Sequence, residues 1–199
     1  MSLRKINNVL LGLIIVINIY VIGAPLAPQV MYWWQSNHSS KKQDLIKKVQ
    51  AKQAKPTEPQ KAVANSVIVP SMLLDRPILE GPVRDTYKIL DQGIWRWPLG
   101  STPDKGGNTV LIGHRFTYTQ PQGVFYFLNK VQMDDQIGLL WNNQKYVYKV
   151  TEIKEVPPTE TSVQDPTTDA RLTMYTCTPL WMPKNRLVVI AELVESEES

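Results

Sequence analysis

The sequence has few of the side chains that carry nucleophilic and proton-transfer chemistry: one cysteine, Cys177, and two histidines, His38 and His114. With one cysteine, no disulfide can form within the chain, and a free thiol in an exported protein needs an explanation. A lone cysteine is more often a small buried side chain than a nucleophile. Both interpretations of Cys177 are therefore open until its neighbours in the fold are considered.

Positive charge is also scarce in most of the chain. The 22 Lys and Arg against 18 Asp and Glu give a formal charge of +4, yet residues 65–199 hold 13 basic and 16 acidic side chains. A basic face marks nucleic-acid binding, so we predict no nucleic-acid partner. The basic excess lies in residues 35–64, where it either contacts anionic lipid or keeps a linker solvated.

One long apolar run is present, near the N-terminus. Residues 9–22 are nearly continuous Val, Leu and Ile, and weaker apolar character continues to Trp34. About 25 such residues are enough to span a bilayer. The basic residues before the run and the aromatic cluster after it favour an N-terminus on the inner side. Residues 24–27 also have the small-x-small form of a signal-peptide cleavage site, but Pro28 is unfavourable there, so we predict an uncleaved anchor.

Composition divides the chain into three parts. Residues 1–34 are predicted to form a cytoplasmic stub and a transmembrane anchor. Residues 35–64 are rich in Lys, Gln, Ser and Pro and have too few apolar residues to fold alone, which predicts a flexible basic linker. Residues 65–199 have the length and apolar content of one folded domain.

Short apolar runs separated by Pro, Gly and Asn characterise the predicted domain. Eight such runs at this spacing predict the strands of a closed barrel or a sandwich. Asn142 and Asn143 form a plausible tight turn between the fifth and sixth runs. A spacing of three between apolar residues predicts one short helix over 124–131. The eight runs are residues 66–69, 77–79, 93–97, 109–113, 136–141, 145–156, 171–177 and 186–194.

The last two runs are placed against each other by the short loop that joins them. If they pair as an antiparallel hairpin, Cys177 ends one strand where Arg186 begins the other. Directly opposite residues have Cβ atoms about 4.5–5.5 Å apart. A guanidinium there favours the thiolate and could bind the oxyanion of a tetrahedral intermediate. Alternatively, Arg186 only caps a strand or pairs with an acidic neighbour.

His114 is the second candidate, because it ends the apolar strand predicted over 109–113 and His38 lies in the polar linker. A thiol is only a few per cent ionised at neutral pH, so a nucleophilic cysteine benefits from an imidazole that accepts its proton. The same imidazolium can then protonate a leaving amine. A hydrogen-bonded histidine at the end of a strand, with no catalytic role, is the alternative.

Two segments and one arginine of this sequence resemble a known pattern. Residues 173–177, Thr-Met-Tyr-Thr-Cys, resemble the sortase signature Thr-Leu-x-Thr-Cys, and Arg186 follows nine positions later. Residues 107–115, Gly-Asn-Thr-Val-Leu-Ile-Gly-His-Arg, resemble the sortase histidine segment. The similarity extends over roughly residues 67–194. Met174 replaces the usual Leu, a volume-conserving change that a core tolerates.

The resemblance implies an all-β fold: an eight-stranded closed sortase-type β-barrel with one or two short helices, preceded by a transmembrane helix. Residues 65–199 would be the sortase catalytic domain, outside the cell on a single-pass anchor. Cys177 would attack the threonine carbonyl of a Leu-Pro-x-Thr-Gly sorting signal on a surface protein and form a thioester. A primary amine, on a wall peptide precursor or a pilin lysine, would resolve it. His114 and Arg186 would complete the catalytic set.

Two other functions use the same residues. A membrane-tethered cysteine peptidase would transfer the acyl group to water instead of an amine, and a barrel that has lost activity would act as a binding module.

The resemblance places the peptide groove beside the strands with His114 and Cys177, and Leu172, Thr176 and Trp181 are the predicted substrate contacts. Packing of Trp181 on the barrel is the alternative. We predict no cofactor and no required metal, because the loop carboxylates lack ligand spacing.

Overall fold

The computed structural model describes residues 2–51, 64–117 and 122–196, and the chain divides into two units, Met1–Lys41 and Lys42–Ser199. Helix α1, Leu3–His38, makes up most of the first unit and continues through Pro25 and Pro28. None of its side chains is buried. Among the described residues it is the one helix long and apolar enough to cross a membrane, which fits a membrane anchor.

A second helix, α2, spans Lys41–Gln50 and belongs to the second unit from Lys42 onward. It lies in the segment whose composition predicts a flexible linker, so the described part of that segment is largely helical; residues 52–63 lie outside the described ranges. Leu45 and Val49, one helical turn apart, are buried against Ile68 and Val147 of the barrel wall. These contacts dock one apolar face of the helix on the barrel.

All eight predicted runs form strands, with ends within three residues of the predicted ones. One further α-helix, α3, spans Thr86–Leu90. The strands are β1 Ser66–Val69, β2 Leu74–Leu79, β3 Ile94–Arg96, β4 Asn108–Ile112, β5 Gln136–Trp141, β6 Gln144–Val156, β7 Arg171–Thr178 and β8 Asn185–Ser196.

The strands form a closed barrel in the order β1-β2-β3-β4-β7-β8-β6-β5, and an antiparallel pairing of β1 with β5 closes it. Two pairs are parallel, β2 with β3 and β4 with β7. Closure leaves no unpaired strand edge in the ring. The predicted closed eight-stranded barrel is confirmed, and the parallel pair β4–β7 brings the predicted histidine strand beside the predicted cysteine strand.

Alternation along each strand separates an inner core from an outer cluster. On β7, Leu172 and Met174 join the inner core, to which all eight strands contribute, whereas Tyr175 joins a cluster on the outside of the wall. On β8, Val189 faces inward and Val188 faces outward. The outer cluster lies under α3 and the loop between β6 and β7, and it forms the floor on which the candidate site is built.

The β5–β6 turn has the predicted form. Asn142 and Asn143 have φ values of 50° and 63°, and Trp141 pairs with Gln144, as in a two-residue type I′ hairpin. The helix predicted over 124–131 is wrong, because that segment consists of turns and a 3₁₀ helix, Leu128–Lys130. Its three-residue spacing still serves packing, since the apolar side chains at 125, 128 and 131 are buried in the inner core.

Candidate active site

The β7–β8 hairpin places Arg186 directly opposite Cys177. Arg186 Nη1 lies 3.2 Å from Cys177 Sγ, within reach of a hydrogen bond to sulfur. This is the register that the short connecting loop predicts. The guanidinium therefore brings a fixed positive charge into contact with the sulfur.

The parallel pairing of β4 with β7 brings His114 to the same place. Ile112 and Tyr175 are the last pair of this ladder, and His114 and Cys177 each follow two residues later. Between these pairs, Thr176 Oγ1 donates a hydrogen bond of 2.7 Å to the Gly113 carbonyl. His114, Cys177 and Arg186 all line one cavity. The structure therefore brings together the three residues that were predicted from separate parts of the sequence.

The cavity beside these residues has a volume of about 310 Å³ and lies over the outer cluster. One wall comes from α3, the floor from the outward side chains of β3, β4 and β7, and the rim from the β6–β7 loop. Aromatic side chains dominate the floor, as is common in sites for small or peptide ligands. Besides the three candidates it is lined by Thr86, Tyr87, Leu90, Trp95, Trp97, Ile112, Gly113, Pro158, Glu160, Thr161, Val163, Gln164, Tyr175 and Thr176.

Asn108 of β4, a buried side chain that is 1% exposed, attaches the β6–β7 loop over the outer cluster. Asn108 Nδ2 donates to the carbonyls of Val163 at 3.1 Å and Asp165 at 3.0 Å. Asn108 Oδ1 accepts a 2.7 Å hydrogen bond from the Thr173 hydroxyl. Both the nitrogen and the oxygen of the Asn108 amide are thus hydrogen-bonded. The two loop carbonyls also have partners, although the apolar cluster keeps water from them.

The imidazole of His114 is half-buried, and Nε2 lies 3.6 Å from Asp91 Oδ1 at the end of α3. Burial lowers the pKa of His114 below its ordinary value of 6.5, and the Asp91 carboxylate opposes that shift. The imidazole is therefore mainly neutral at pH 7. A neutral imidazole can accept a proton from a neighbouring thiol.

Tyr175 supplies a polar group to the cavity floor. Its hydroxyl accepts a 2.7 Å hydrogen bond from Gln164 Nε2 on the β6–β7 loop. Burial raises the pKa of Tyr175 to about 12, so the phenol stays protonated at neutral pH. Its own proton is available as a hydrogen-bond donor beside Cys177 and Arg186.

The three predicted substrate contacts have different positions. Thr176 lines the cavity but is 2% exposed, and its hydroxyl is used by the Gly113 carbonyl. Trp181 is 52% exposed and lies outside the cavity lining, with its ring edge-to-face against Phe116 at 4.7 Å between centroids. Leu172 is fully buried in the inner core and does not reach the cavity, because it faces the opposite side of β7 from Cys177. A substrate contact through the Leu172 side chain is corrected on this ground.

Several residues at the site were not predicted. The cavity-lining residues of α3 belong to a helix of five residues, too short to show a periodic pattern, and Asp91 follows its last residue. Arg115 donates through Nη1 to Thr178 Oγ1 at 2.9 Å. The sequence did offer one signal for Arg115 and Thr178, which is that they directly follow the candidates His114 and Cys177. In the described ranges, no group of three His, Cys, Asp or Glu side chains is placed to hold a metal ion.

The chain after His114 folds back on the histidine backbone. Phe125 N donates to the His114 carbonyl at 2.9 Å, and Gly123 N donates to the Arg115 carbonyl at 3.1 Å. A Cβ at Gly123 would lie 2.2 Å from the His114 carbonyl oxygen. This close approach requires glycine and fixes the backbone from which the imidazole projects.

Comparison with known proteins agrees with this architecture. The family model described as the sortase domain matches residues 67–194. The chain belongs to the sortase family. Sortase SrtE1 of Streptomyces coelicolor is 32% identical over 146 residues, covering 64% of this chain and 39% of that protein. Sortase A of Listeria monocytogenes is 33% identical over 137 residues, covering 69% of this chain and 59% of that protein.

Solved sortase structures share the fold. The crystal structure of Listeria monocytogenes sortase A superposes with a TM-score of 0.57 at 31% identity and covers 69% of this chain and 90% of that one. This sortase spans about two fifths and three fifths of the lengths of the two curated relatives above.

Proposed function

We propose that this sortase is a membrane-anchored cysteine transpeptidase with Cys177 as nucleophile, His114 as general base and acid, and Arg186 as the oxyanion donor. The observation that carries the proposal is the 3.2 Å contact of Arg186 Nη1 with Cys177 Sγ, in a cavity that His114 also lines. Nucleophile, proton carrier and cationic donor thus converge on one space where an acyl carbon can lie.

The first half-reaction forms a thioester. The Cys177 sulfur attacks the threonine carbonyl of a Leu-Pro-x-Thr-Gly sorting signal, and His114 takes the thiol proton. Arg186 stabilises the negative oxygen of the tetrahedral intermediate. The carbon–nitrogen bond then breaks, His114 returns the proton to the leaving glycine amine, and the threonine carbonyl remains bonded to sulfur.

The second half-reaction transfers the acyl group. A primary amine attacks the thioester, loses a proton to His114, and forms a new amide as the carbon–sulfur bond breaks. The sulfur regains its proton and the enzyme is restored. We propose surface proteins with sorting signals as donors and an amine of a wall peptide precursor or a pilin lysine as acceptor. The domain would face the outside, on the anchor α1.

Mass spectrometry of the full chain in detergent micelles tests this proposal. With a Leu-Pro-Xaa-Thr-Gly peptide, we expect a covalent adduct on Cys177 that lacks the glycine fragment, and no adduct with Cys177→Ala. We expect Arg186→Lys to slow adduct formation on the order of a hundredfold, because a lysine keeps the charge without the guanidinium fork. Arg84→Gln, on the exposed surface, is the matched control and should react at the rate of the unaltered protein.

The acceptor is tested by adding a glycine peptide or a lysine amine to the preformed adduct. A joined product whose yield rises with amine concentration supports transpeptidation. Hydrolysed peptide at a constant rate, whatever the amine concentration, would identify a peptidase instead. No Cys177 adduct with any sorting-signal peptide, together with ordinary thiol reactivity, would favour the inactive binding module.

A further inference from the structure

Directly beneath the proposed catalytic residues, their chain neighbours contact each other. Arg115 follows His114, Thr178 follows Cys177, and Arg115 Nη1 donates to Thr178 Oγ1 at 2.9 Å. Since successive strand residues face opposite sides, Thr178 points away from the cavity that Cys177 lines. Thr178 is 4% exposed, so its hydroxyl is shielded from water.

The Thr178 hydroxyl also links this contact to a third strand. Its oxygen lies 3.5 Å from Glu155 Oε1, to which it can donate while accepting from Arg115. Glu155 on β6 precedes Val156, which pairs with Arg186. The Arg115 cation, the Thr178 hydroxyl and the Glu155 carboxylate thus lie in a row, with a 2.9 Å hydrogen bond at the cationic end and a longer contact at the carboxylate.

The Arg115–Thr178 hydrogen bond is the second of two side-chain contacts that flank His114 and Cys177. The paired residues of β4 and β7 end at Ile112 and Tyr175, two residues before His114 and Cys177. On the near side, Thr176 Oγ1 donates to the Gly113 carbonyl; on the far side, Arg115 donates to Thr178. His114 and Cys177 therefore lie between two side-chain bridges that join the strand ends.

The Arg115 bridge is poorly suited to a purely stabilising role. Burial lowers the pKa of Arg115, with Glu155 and Tyr126 opposing the shift. In the described part of the chain, the buried Arg115 Nε has no hydrogen-bond partner. A buried donor without a partner and a partly desolvated charge both cost free energy, and apolar side chains would fill such a place at no such cost. A role for Arg115 in arranging the site would account for a group with these costs.

We propose that Arg115 and Thr178 are positioning residues whose bridge holds His114 and Cys177 at the separation that thioester formation requires. The inference rests on the proposed function of these two residues. Misplacement of reacting groups by about 1 Å can cost on the order of a hundredfold in rate, so a hydrogen bond between the supporting strand ends is sufficient to matter.

Thr178→Val and Thr178→Ser form a matched pair for the test, in the full chain in micelles. Valine keeps the shape and removes the hydroxyl, whereas serine keeps the hydroxyl. We expect Thr178→Val to lower the maximal rate of Cys177 acylation roughly tenfold with an unchanged KM for the sorting-signal peptide, and Thr178→Ser to stay within about threefold of the unaltered protein. Arg115→Gln should match Thr178→Val, and the double variant should be no slower than the slower single variant.

Alkylation of Cys177 by iodoacetamide gives a second measurement that needs no peptide. We expect Thr178→Val to slow it and Thr178→Ser to leave it unchanged. The proposal is overturned if Thr178→Val acylates and alkylates at the unaltered rate, if valine and serine variants lose rate equally, or if the rate loss follows melting temperature across the set. Failure of the proposed function is distinct: the unaltered protein would then form no thioester, while alkylation would still report on the bridge.

Discussion

Two patches on the outside of the barrel wall are covered in different ways. Helix α2 covers the smaller one, where Leu45 and Val49 pack against Ile68 and Val147. Helix α3 and the β6–β7 loop cover the larger one, a cluster of nine buried residues that includes Tyr175. The cavity with Cys177 lies at the second patch.

The difference follows from how each cover satisfies its own backbone. A helix bonds its peptide groups internally, so α2 docks through its side chains. An irregular loop must find partners for its carbonyls, and Asn108 supplies them at Val163 and Asp165. A loop held at a few points leaves space beside it, and the cavity lined by His114, Cys177 and Arg186 lies in that space.

Removing the Asn108 attachment of the β6–β7 loop should have the largest effect. We expect Asn108→Ala to lower the free energy of unfolding by about 2–3 kcal/mol, because it leaves the Thr173 hydroxyl and two loop carbonyls without partners. Urea denaturation measures this change. Thr173→Val, which removes one bond and leaves the loop attached, should cost about 1 kcal/mol. Equal losses in the two variants would show that the loop carbonyls do not depend on Asn108.

Weakening the packing of α2 should lower the free energy of unfolding and leave the acylation of Cys177 nearly unchanged. We expect Leu45→Ala to lower the free energy of unfolding by about 2 kcal/mol through the cavity it leaves against Ile68 and Val147. Acylation of Cys177 should stay within about twofold, since the patch lies apart from the catalytic cavity. Gln43→Ala, on the exposed side of α2, is the control for both measurements. A marked loss of acylation rate in Leu45→Ala, without one in Gln43→Ala, would show that the packing of α2 affects the cavity with Cys177.

The smallest expected effect is the pH dependence that His114, at the edge of the loop-covered patch, gives to the free energy of unfolding. Folded His114 has a pKa below 6.5, whereas the unfolded chain has the ordinary value. The unfolded state therefore binds more protons as the pH falls through 6.5. The contribution of His114 to the free energy of unfolding is full above that pH and declines below it.

Unfolding free energies of the unaltered protein and His114→Gln between pH 5.5 and 7.5 measure this contribution, because other groups cancel in the difference. Asp91→Asn should enlarge the decline, since the Asp91 carboxylate raises the pKa of His114 against burial. Parallel pH profiles for the unaltered protein and His114→Gln would contradict the assignment.

The eight strands and the Cys177–Arg186 register could be predicted because they depend on local alternation and on one short loop. The Asn142-Asn143 turn was predictable for the same reason. Docking of α2 was not, since Leu45 and Val49 are too few to stand out in a polar segment, and their burial depends on distant Ile68 and Val147. Composition alone assigns such a helix to a linker.

The position of Leu172 was within reach of sequence reasoning. Leu172 and Cys177 are separated by an odd number of positions on one strand, so their side chains face opposite sides of the sheet. The cavity lining was not within reach, because α3 and the β6–β7 loop reach the site through tertiary packing. Asn108, buried at the start of β4, has no local pattern that would announce three hydrogen bonds.

Gly123 limits how far this part of the chain can change under selection. The atom that excludes a larger residue is a backbone oxygen of His114, which no choice of side chain elsewhere can remove. That oxygen is also engaged by Phe125 N, so it cannot turn aside without breaking the fold-back of the loop. In neutral drift or in a mutagenesis library, position 123 therefore accepts only glycine. The restriction comes from the position of the His114 backbone, and residue 123 itself has no chemical role.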